Sequence, residues 1–167
     1  KYKVPRICFI NKINQTGGDF YKSLDTIHAR LSNRAFPIHL PIGFEKDING
    51  NVDLVSMKAY TYKDFTDKAL VEGEIPEDML DKAKRARSLL IENAVAEDEV
   101  ILEKYFEVGE EGLSETEIKT AIHSAILSGN FFAVTGGDGR GVIVEKVLDL
   151  VVDLLPSPIE RGSTWGT

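Results

Sequence analysis

The chain has 167 residues, 43% of them hydrophobic and 28% charged, and a formal net charge of −7. That is enough for one good core, or one core with a lobe, and the acidic balance argues against a general nucleic-acid or membrane surface. No apolar run approaches the roughly 18–20 residues of a membrane span, no signal-peptide pattern is read, and the single cysteine, Cys8, allows no internal disulfide, which suits a reducing cytoplasm.

The first element is Val4–Ile10, a short apolar run rich in β formers and too brief for a helix, which reads as a buried strand. Cys8 inside it reads as a buried thiol acting as a small hydrophobe. The strand runs into Asn11-Lys12-Ile13-Asn14 and then Gln15-Thr16-Gly17-Gly18. A polar loop at the carboxyl end of a buried parallel strand is where open α/β sheets bind ligands. Asp19 is placed to cap a helix to about Asn33, with Phe20, Leu24, Ile27 and Leu31 as its apolar stripe.

From Phe36 to Gly43 the chain reads as extended, and Pro37 and Pro41 confine it to a sheet edge or an irregular strand. Asn49-Gly50 is a hairpin-turn signal. It predicts a returning strand over Asn51–Tyr62, with a bulge near Val55 where the buried face switches. Asp64–Glu74 is polar and reads as loop. Pro76 then sits at a first helical position, with Met79, Ala83, Ala86 and Leu90 as the buried stripe of a helix to about Asn93. Lys82, Lys84, Arg85 and Arg87 lie mostly off that stripe, as a solvated face or a basic patch. Glu97–Glu107, carrying Val100, Ile101, Tyr105 and Phe106, predicts a shorter helix.

Ser114 and Glu117 have the spacing of a capping box, with Leu113 and Ile118 placed to staple across the first turn. Ile118, Ala121, Ile122, Ala125 and Ile126 follow at helical spacing, and Gly129 ends the helix. Phe131–Thr135 is a second short buried strand. A glycine-rich loop, Gly136–Gly141, leads from it into a helix from about Val142 to Leu154, with Val144, Val147, Leu148, Val151 and Leu155 as its stripe. Pro156 and Pro158 stop that helix, and Trp165 lies in a polar tail. Two strand–loop–helix units therefore bracket a long intervening segment, and in a parallel sheet both loops emerge on one edge.

Asn11-Lys12-Ile13-Asn14 resembles the guanine-reading Asn-Lys-x-Asp motif of GTPases. Together with Asp19-Phe20-Tyr21, Leu40-Pro41-Ile42-Gly43, Val52-Asp53-Leu54-Val55 and Leu155-Pro156-Ser157-Pro158, it makes nearly the whole chain similar to part of bacterial-type elongation factor G. The resemblance implies an α/β fold: a partial P-loop-GTPase-like parallel sheet of two strands with flanking helices, and an inserted α/β subdomain containing an antiparallel hairpin. Residues 1–33 and 130–158 would be the carboxyl-terminal part of the GTPase domain, 34–129 the inserted subdomain, and 159–167 a linker toward a next domain. With a first residue that is Lys1 and not Met, the chain is expected to be a piece of a longer cytoplasmic protein.

The resemblance also implies a nucleotide site. Asn11 would brace the loop, the stem of Lys12 would pack over the base, Asn14 would meet the base edge, and the backbone N–H of Gly139, beside Asp138, would meet the base carbonyl. GTP or GDP would bind the parent protein. Magnesium would be held by residues outside this segment, which contains no phosphate-binding lysine loop, so the segment alone is not expected to hydrolyse GTP. Two positions depart from the family: Asn14 stands where the family has Asp, and Asp138 sits in a loop that in relatives reads Ser-Ala. An amide offers one acceptor and one donor where a carboxylate offers only acceptors, so Asn14 fits guanine poorly and a base such as xanthine better. The Gly136–Gly141 loop as a phosphate cradle is the other reading of that stretch.

The partners implied are the ribosome and the ribosomal stalk protein. The acidic residues Glu92, Glu97, Asp98 and Glu99 are either a patch that steers a basic stalk domain or a solvated turn between helices. His28, His39 and His123 lack metal-ligand spacing, and neither catalytic residues nor a metal site are expected. Three other readings stand beside the translocation GTPase: a relative with altered or lost guanine specificity, a GTPase of the release-factor-three type, and a non-enzymatic ribosome-interaction module.

Overall fold

A computed structural model gives the fold for residues 4–62, 69–137 and 144–160. The first strand, β1 (Ile7–Ile10), leads through the polar loop into helix α1 (Phe20–Arg30). The carboxylate of Asp19 caps α1 as the sequence predicts, accepting from the backbone N–H groups of Tyr21 (2.8 Å) and Lys22 (3.1 Å). Helix α1 ends at Arg30, so Leu31, expected in the stripe, lies largely in solvent.

The parallel sheet has three strands among the described residues, one more than expected. Strand β7 (Phe132–Gly136) lies in the centre, with β1 on one side and β2 (Ala35–Pro37) on the other. Ile7 to Ile10 pair with Ala133 to Gly136, and Ala35 to Pro37 with Phe132 to Val134, all parallel. The extended stretch read as one irregular strand is in fact two. Strand β2 ends at Pro37, the chain turns at Ile38, and β3 (His39–Ile42) opens a second sheet. Ile38 joins the two sheets: its N–H donates to the carbonyl of Val134 (2.8 Å) and its carbonyl accepts from Leu54 (2.9 Å). Both prolines fall on sheet edges, where a missing N–H costs no ladder bond.

The second sheet is antiparallel, in the order β3, β4 (Gly50–Asp53), β5 (Lys58–Tyr62), β6 (Leu70–Gly73). Two expectations fail here. Asn49-Gly50 is not a turn, because Gly50 pairs with Ile42 on one side and Thr61 on the other. A Cβ on Gly50 would come within 2.2 Å of the Tyr60 carbonyl oxygen, so glycine is required for close strand approach and not for a turn. The tight turn is Leu54–Met57. Asp53 accepts from the N–H groups of Val55 (2.8 Å) and Ser56 (3.3 Å), and Met57 takes a φ of 55°. The switch of buried face near Val55 belongs to this turn and not to a bulge. The segment read as loop over Asp64–Glu74 contains strand β6 within its described part, paired with β5 from Ala59–Gly73 to Tyr62–Leu70.

Helices α2 (Glu77–Val95), α3 (Glu99–Val108) and α4 (Glu115–Ser128) follow. Pro76 caps α2 from just outside it, one residue before the expected position. Ala83 and Leu90 are buried as predicted, joined by Ile91, Ala94 and Val95. Arg87 is not on a solvated face. Its guanidinium donates to the carbonyls of Leu54 and Val55 and pairs with Glu110 at 2.8 Å, tying α2 to the β4–β5 turn. In α3, Ile101 is buried, but Val100 and Phe106 are 78% and 77% exposed. Around Ser114 the capping box forms as read, with the Ser114 N–H donating to Glu117 (2.9 Å) and the Glu117 N–H donating to the Ser114 hydroxyl (3.3 Å). The Lys104 ammonium, 2.6 Å away, together with these Ser114 donors holds the Glu117 carboxyl down at about 2. Helix α4 ends at Gly129 with φ 77°.

Helix α5 (Val144–Leu154) turns a different face inward from the one predicted. Leu150 and Leu154 are buried, whereas Leu148, Val151 and Val152 are exposed. Glu145, Lys146, Asp149 and Asp153 share one side of this helix, but the apolar side opposite them is wider than one packing contact, so periodicity alone does not choose the part of it that is buried. Packing on α4 chooses it, with Lys119–Asp153 at 2.7 Å and His123 Nδ1 3.1 Å from the Leu154 carbonyl. One hydrophobic core runs from Ile13, Phe20 and Leu24 through Ala133 and Val134 into the α2 and α4 residues and the inner face of the antiparallel sheet.

Removing the helix-capping hydroxyl with Ser114→Ala is expected to cost about 1 kcal/mol, read as a lower urea midpoint with an unchanged slope.

Candidate functional site

Strands β1 and β7 run parallel and adjacent, so the loops that leave them share one edge of the sheet. Two backbone bonds tie them: Gly137 N–H to the Ile10 carbonyl (3.1 Å) and Ile13 N–H to the Gly137 carbonyl (3.3 Å). Ile13 is buried, which pins the middle of the loop and leaves its neighbours facing out. The side-chain oxygen of Asn11 accepts from the Lys12 N–H at 2.8 Å, closing the loop on itself. Lys12 is exposed and has a φ of 59°, a left-handed conformation uncommon for lysine. Asn14 is half-buried, and its Oδ1 lies 3.4 Å from the Gln15 side-chain nitrogen.

The loop then folds under itself. Gln15 N–H donates to Lys12 (3.1 Å) and Gly18 N–H to Gln15 (2.7 Å). A Cβ on Gly18 would meet the carbonyl oxygens of Lys12, Ile13 and Gln15 at 2.8–2.9 Å, so no other residue fits there without moving the loop. A cavity of about 280 Å³ lies against this turn, lined by Asn11, Gly17, Gly18, Asp19 and Lys22 among others. Asn11, Lys12 and Asn14 are thus brought together on one loop beside the end of β7. Asp138 and Gly139 lie outside the described residues, as does the rest of the glycine-rich loop after Gly137.

The loop has contacts that sequence reading missed. The Glu45 carboxylate accepts from the Gly17 N–H at 2.7 Å, across a separation of 28 residues. The Lys82 ammonium on α2 lies 3.0 Å from the centre of the Tyr21 ring at the start of α1. Burial, then the Asp19 charge, pushes the Tyr21 hydroxyl up to about 12. No local sequence pattern announces either contact, since both join residues on different elements.

The four acidic residues at the α2–α3 junction divide. Asp98 caps α3 through the Ile101 N–H (3.2 Å) and accepts from the Ser124 hydroxyl (3.1 Å). Glu97 pairs with Arg34 at 3.4 Å and lies 3.5 Å from the Asn130 amide. Only Glu92 and Glu99 are fully on the surface. Cys8 is half-buried, and burial raises its thiol, opposed by Arg6. Among the described residues no group of three or more His, Cys, Asp or Glu could hold a metal ion, and no helix is long and apolar enough to cross a membrane.

His39, 2% exposed, joins the two sheets, its Nδ1 lying 3.0 Å from the Thr135 hydroxyl on β7. Burial lowers its pKa to about 4, with Lys146 adding to the shift and Asp53 and Asp149 opposing it. The unfolded chain therefore takes up this proton first, below about pH 6.5. The stability contributed by neutral His39 is complete above that pH and is lost as pH falls toward 4. Urea midpoints are expected to drop between pH 7 and pH 4.5, and His39→Gln to flatten that part of the profile.

No family model matches the sequence. Two relatives named Elongation factor G, from two strains of Ureaplasma parvum serovar 3, are each 44% identical over 161 residues, covering 96% of this chain and 23% of the relative. A crystal structure of a Thermus thermophilus protein superposes with a TM-score of 0.80 at 32% identity, over 94% of this chain and 23% of that one. The chain thus spans about a quarter of the length of the relatives it matches. Over nearly its whole length, then, this chain is similar to a segment of elongation factor G.

Proposed function

We propose that this chain supplies the base-recognition loops of a translational GTPase that acts in translocation on the ribosome, with an inserted subdomain, residues 34–129, that contacts a ribosomal partner. The observation that carries this reading is the pairing of the Asn11–Asn14 loop with the end of β7 through Ile13 and Gly137, in a chain 44% identical to elongation factor G over nearly its whole length. In the complete, cytoplasmic protein Asn11 holds the loop, the Lys12 stem covers the base, and Asn14 reads its edge, with the Gly139 N–H, beside Asp138 in sequence, as the donor proposed for the base carbonyl. GTP or GDP is the ligand of that protein. Hydrolysis draws on phosphate- and magnesium-binding groups that this segment's sequence does not contain.

The residues suit a purine with one reservation of chemistry. Guanine presents two donors on its edge, and the Asn14 amide answers only one of them. This favours a second reading, in which the base preference has moved toward xanthine or been relaxed. Asn14→Asp in the complete protein is expected to tighten GDP about ten-fold to over a hundred-fold, the equivalent of ~1.5–3 kcal/mol for a charged hydrogen bond, and to weaken xanthosine diphosphate. Isothermal calorimetry with both nucleotides decides. Tight GDP binding by the natural protein, unchanged in the variant, removes Asn14 from the site.

The stalk protein is the proposed partner of the α2–α3 junction. Since Glu97 and Asp98 are engaged internally, Glu92 and Glu99 are left to carry the electrostatic steering. Reversing both, Glu92→Lys with Glu99→Lys, is expected to slow association with the isolated stalk protein about ten-fold at low salt, with the difference shrinking as salt rises. Identical association rates in a surface-binding assay would discard the contact.

A further inference from the structure

We propose that Glu45 is a positioning residue for the candidate base loop, coupling nucleotide retention to the seating of the antiparallel sheet; the inference rests on the functional reading above. Glu45 begins a 3-10 turn, Glu45–Asp47, in the connection between β3 and β4, far from β1 in sequence. Its carboxylate nevertheless accepts from the Gly17 N–H at 2.7 Å. Gly17 belongs to the turn whose bonds Gln15 to Lys12 and Gly18 to Gln15 close the loop beneath Asn11–Asn14.

The connection is shaped around this contact. Glu45 itself has a φ of 45°, a left-handed conformation that disfavours a glutamate. Gly43, two residues earlier, has a φ of 94° and packs so closely that a Cβ would lie 2.3 Å from the Asp47 carbonyl oxygen. A strained backbone that aims one carboxylate at one N–H is an outlier from which a role can be inferred. On the other side of the same junction, Lys82 of α2 sits over the Tyr21 ring. The loop is therefore held by its own turn and by Glu45 of the β3–β4 connection, while Lys82 of α2 contacts the helix that follows it. A displacement of the β3–β4 connection pulls on Gly17, and through its turn on Lys12 and Asn14.

The test uses the complete protein, with GDP and xanthosine diphosphate as probes and nucleotide dissociation followed by stopped flow. Glu45→Ala is expected to speed dissociation about three- to ten-fold, the loss of one charge-assisted hydrogen bond at a half-exposed site. Glu45→Gln keeps an acceptor oxygen and is expected to restore most of the wild-type rate, a rescue that a general packing role would not give. In the unmodified protein the Gly17 amide is expected to exchange slowly with solvent, which checks the bond even if Glu45→Ala does not fold. Unchanged dissociation in Glu45→Ala, no rescue by Glu45→Gln, or fast exchange at Gly17 overturns the proposal. A natural protein that binds neither nucleotide overturns the functional reading, and this inference with it, while protection of Gly17 would still establish the bond.

Discussion

The structure depends on strand β7, which is the only strand among those described that pairs with both β1 and β2. Strands β1 and β2 do not touch each other as neighbours. Each finds its parallel partner in Phe132–Gly136, and with that pairing come the two backbone bonds through Gly137 that bring the β1 loop to the β7 end. A shift of β7 by one residue would exchange the side chains of its two buried faces and part the loops together. Register and site are therefore one constraint, enforced by the burial of Ala133, Val134 and Thr135.

The second sheet meets the first across one continuous core, with polar groups fixed at and beside the join. Ile38 gives its N–H to one sheet and its carbonyl to the other. Next to it, His39 reaches Thr135 from a position that excludes water and therefore stays neutral. Arg87 satisfies the carbonyls of the β4–β5 turn from α2. Buried polar groups with fixed partners specify one arrangement more sharply than apolar contact does. Because the hydrophobic core is continuous across both sheets, a force applied to the antiparallel sheet has a physical path to Ile13 in the β1 loop.

Much of this was legible in the sequence where the signal is local. Asp19 before an apolar stripe, Ser114 three residues before Glu117, and the two short apolar runs around Cys8 and Val134 each specify their own conformation, and the elements form there. The Asn11–Asn14 loop followed from its place after a strand. What was not legible depends on partners distant along the chain. Gly50 looks like a turn residue until Tyr60 comes to lie against it. Strand β6 is short, lies at the edge of its sheet among the described residues and buries no side chain fully, so Leu70–Gly73 reads as loop without β5. Helix α5 has an apolar side wider than its contact, and only α4 reveals that Leu150 and Leu154 face inward. Glu45 carries no mark in sequence of its bond to Gly17.

The central strand is also the last to be made. As the polypeptide emerges during synthesis, β1 and β2 are present long before Phe132–Gly136, the strand that pairs with both among the described residues. The antiparallel sheet and the α2–α4 helices consist of nearer-neighbour contacts and can form first. The parallel sheet must then close around a late insertion between two waiting strands. The edges of β1 and β2 that receive β7 stay open until it arrives, about a hundred residues later than β2.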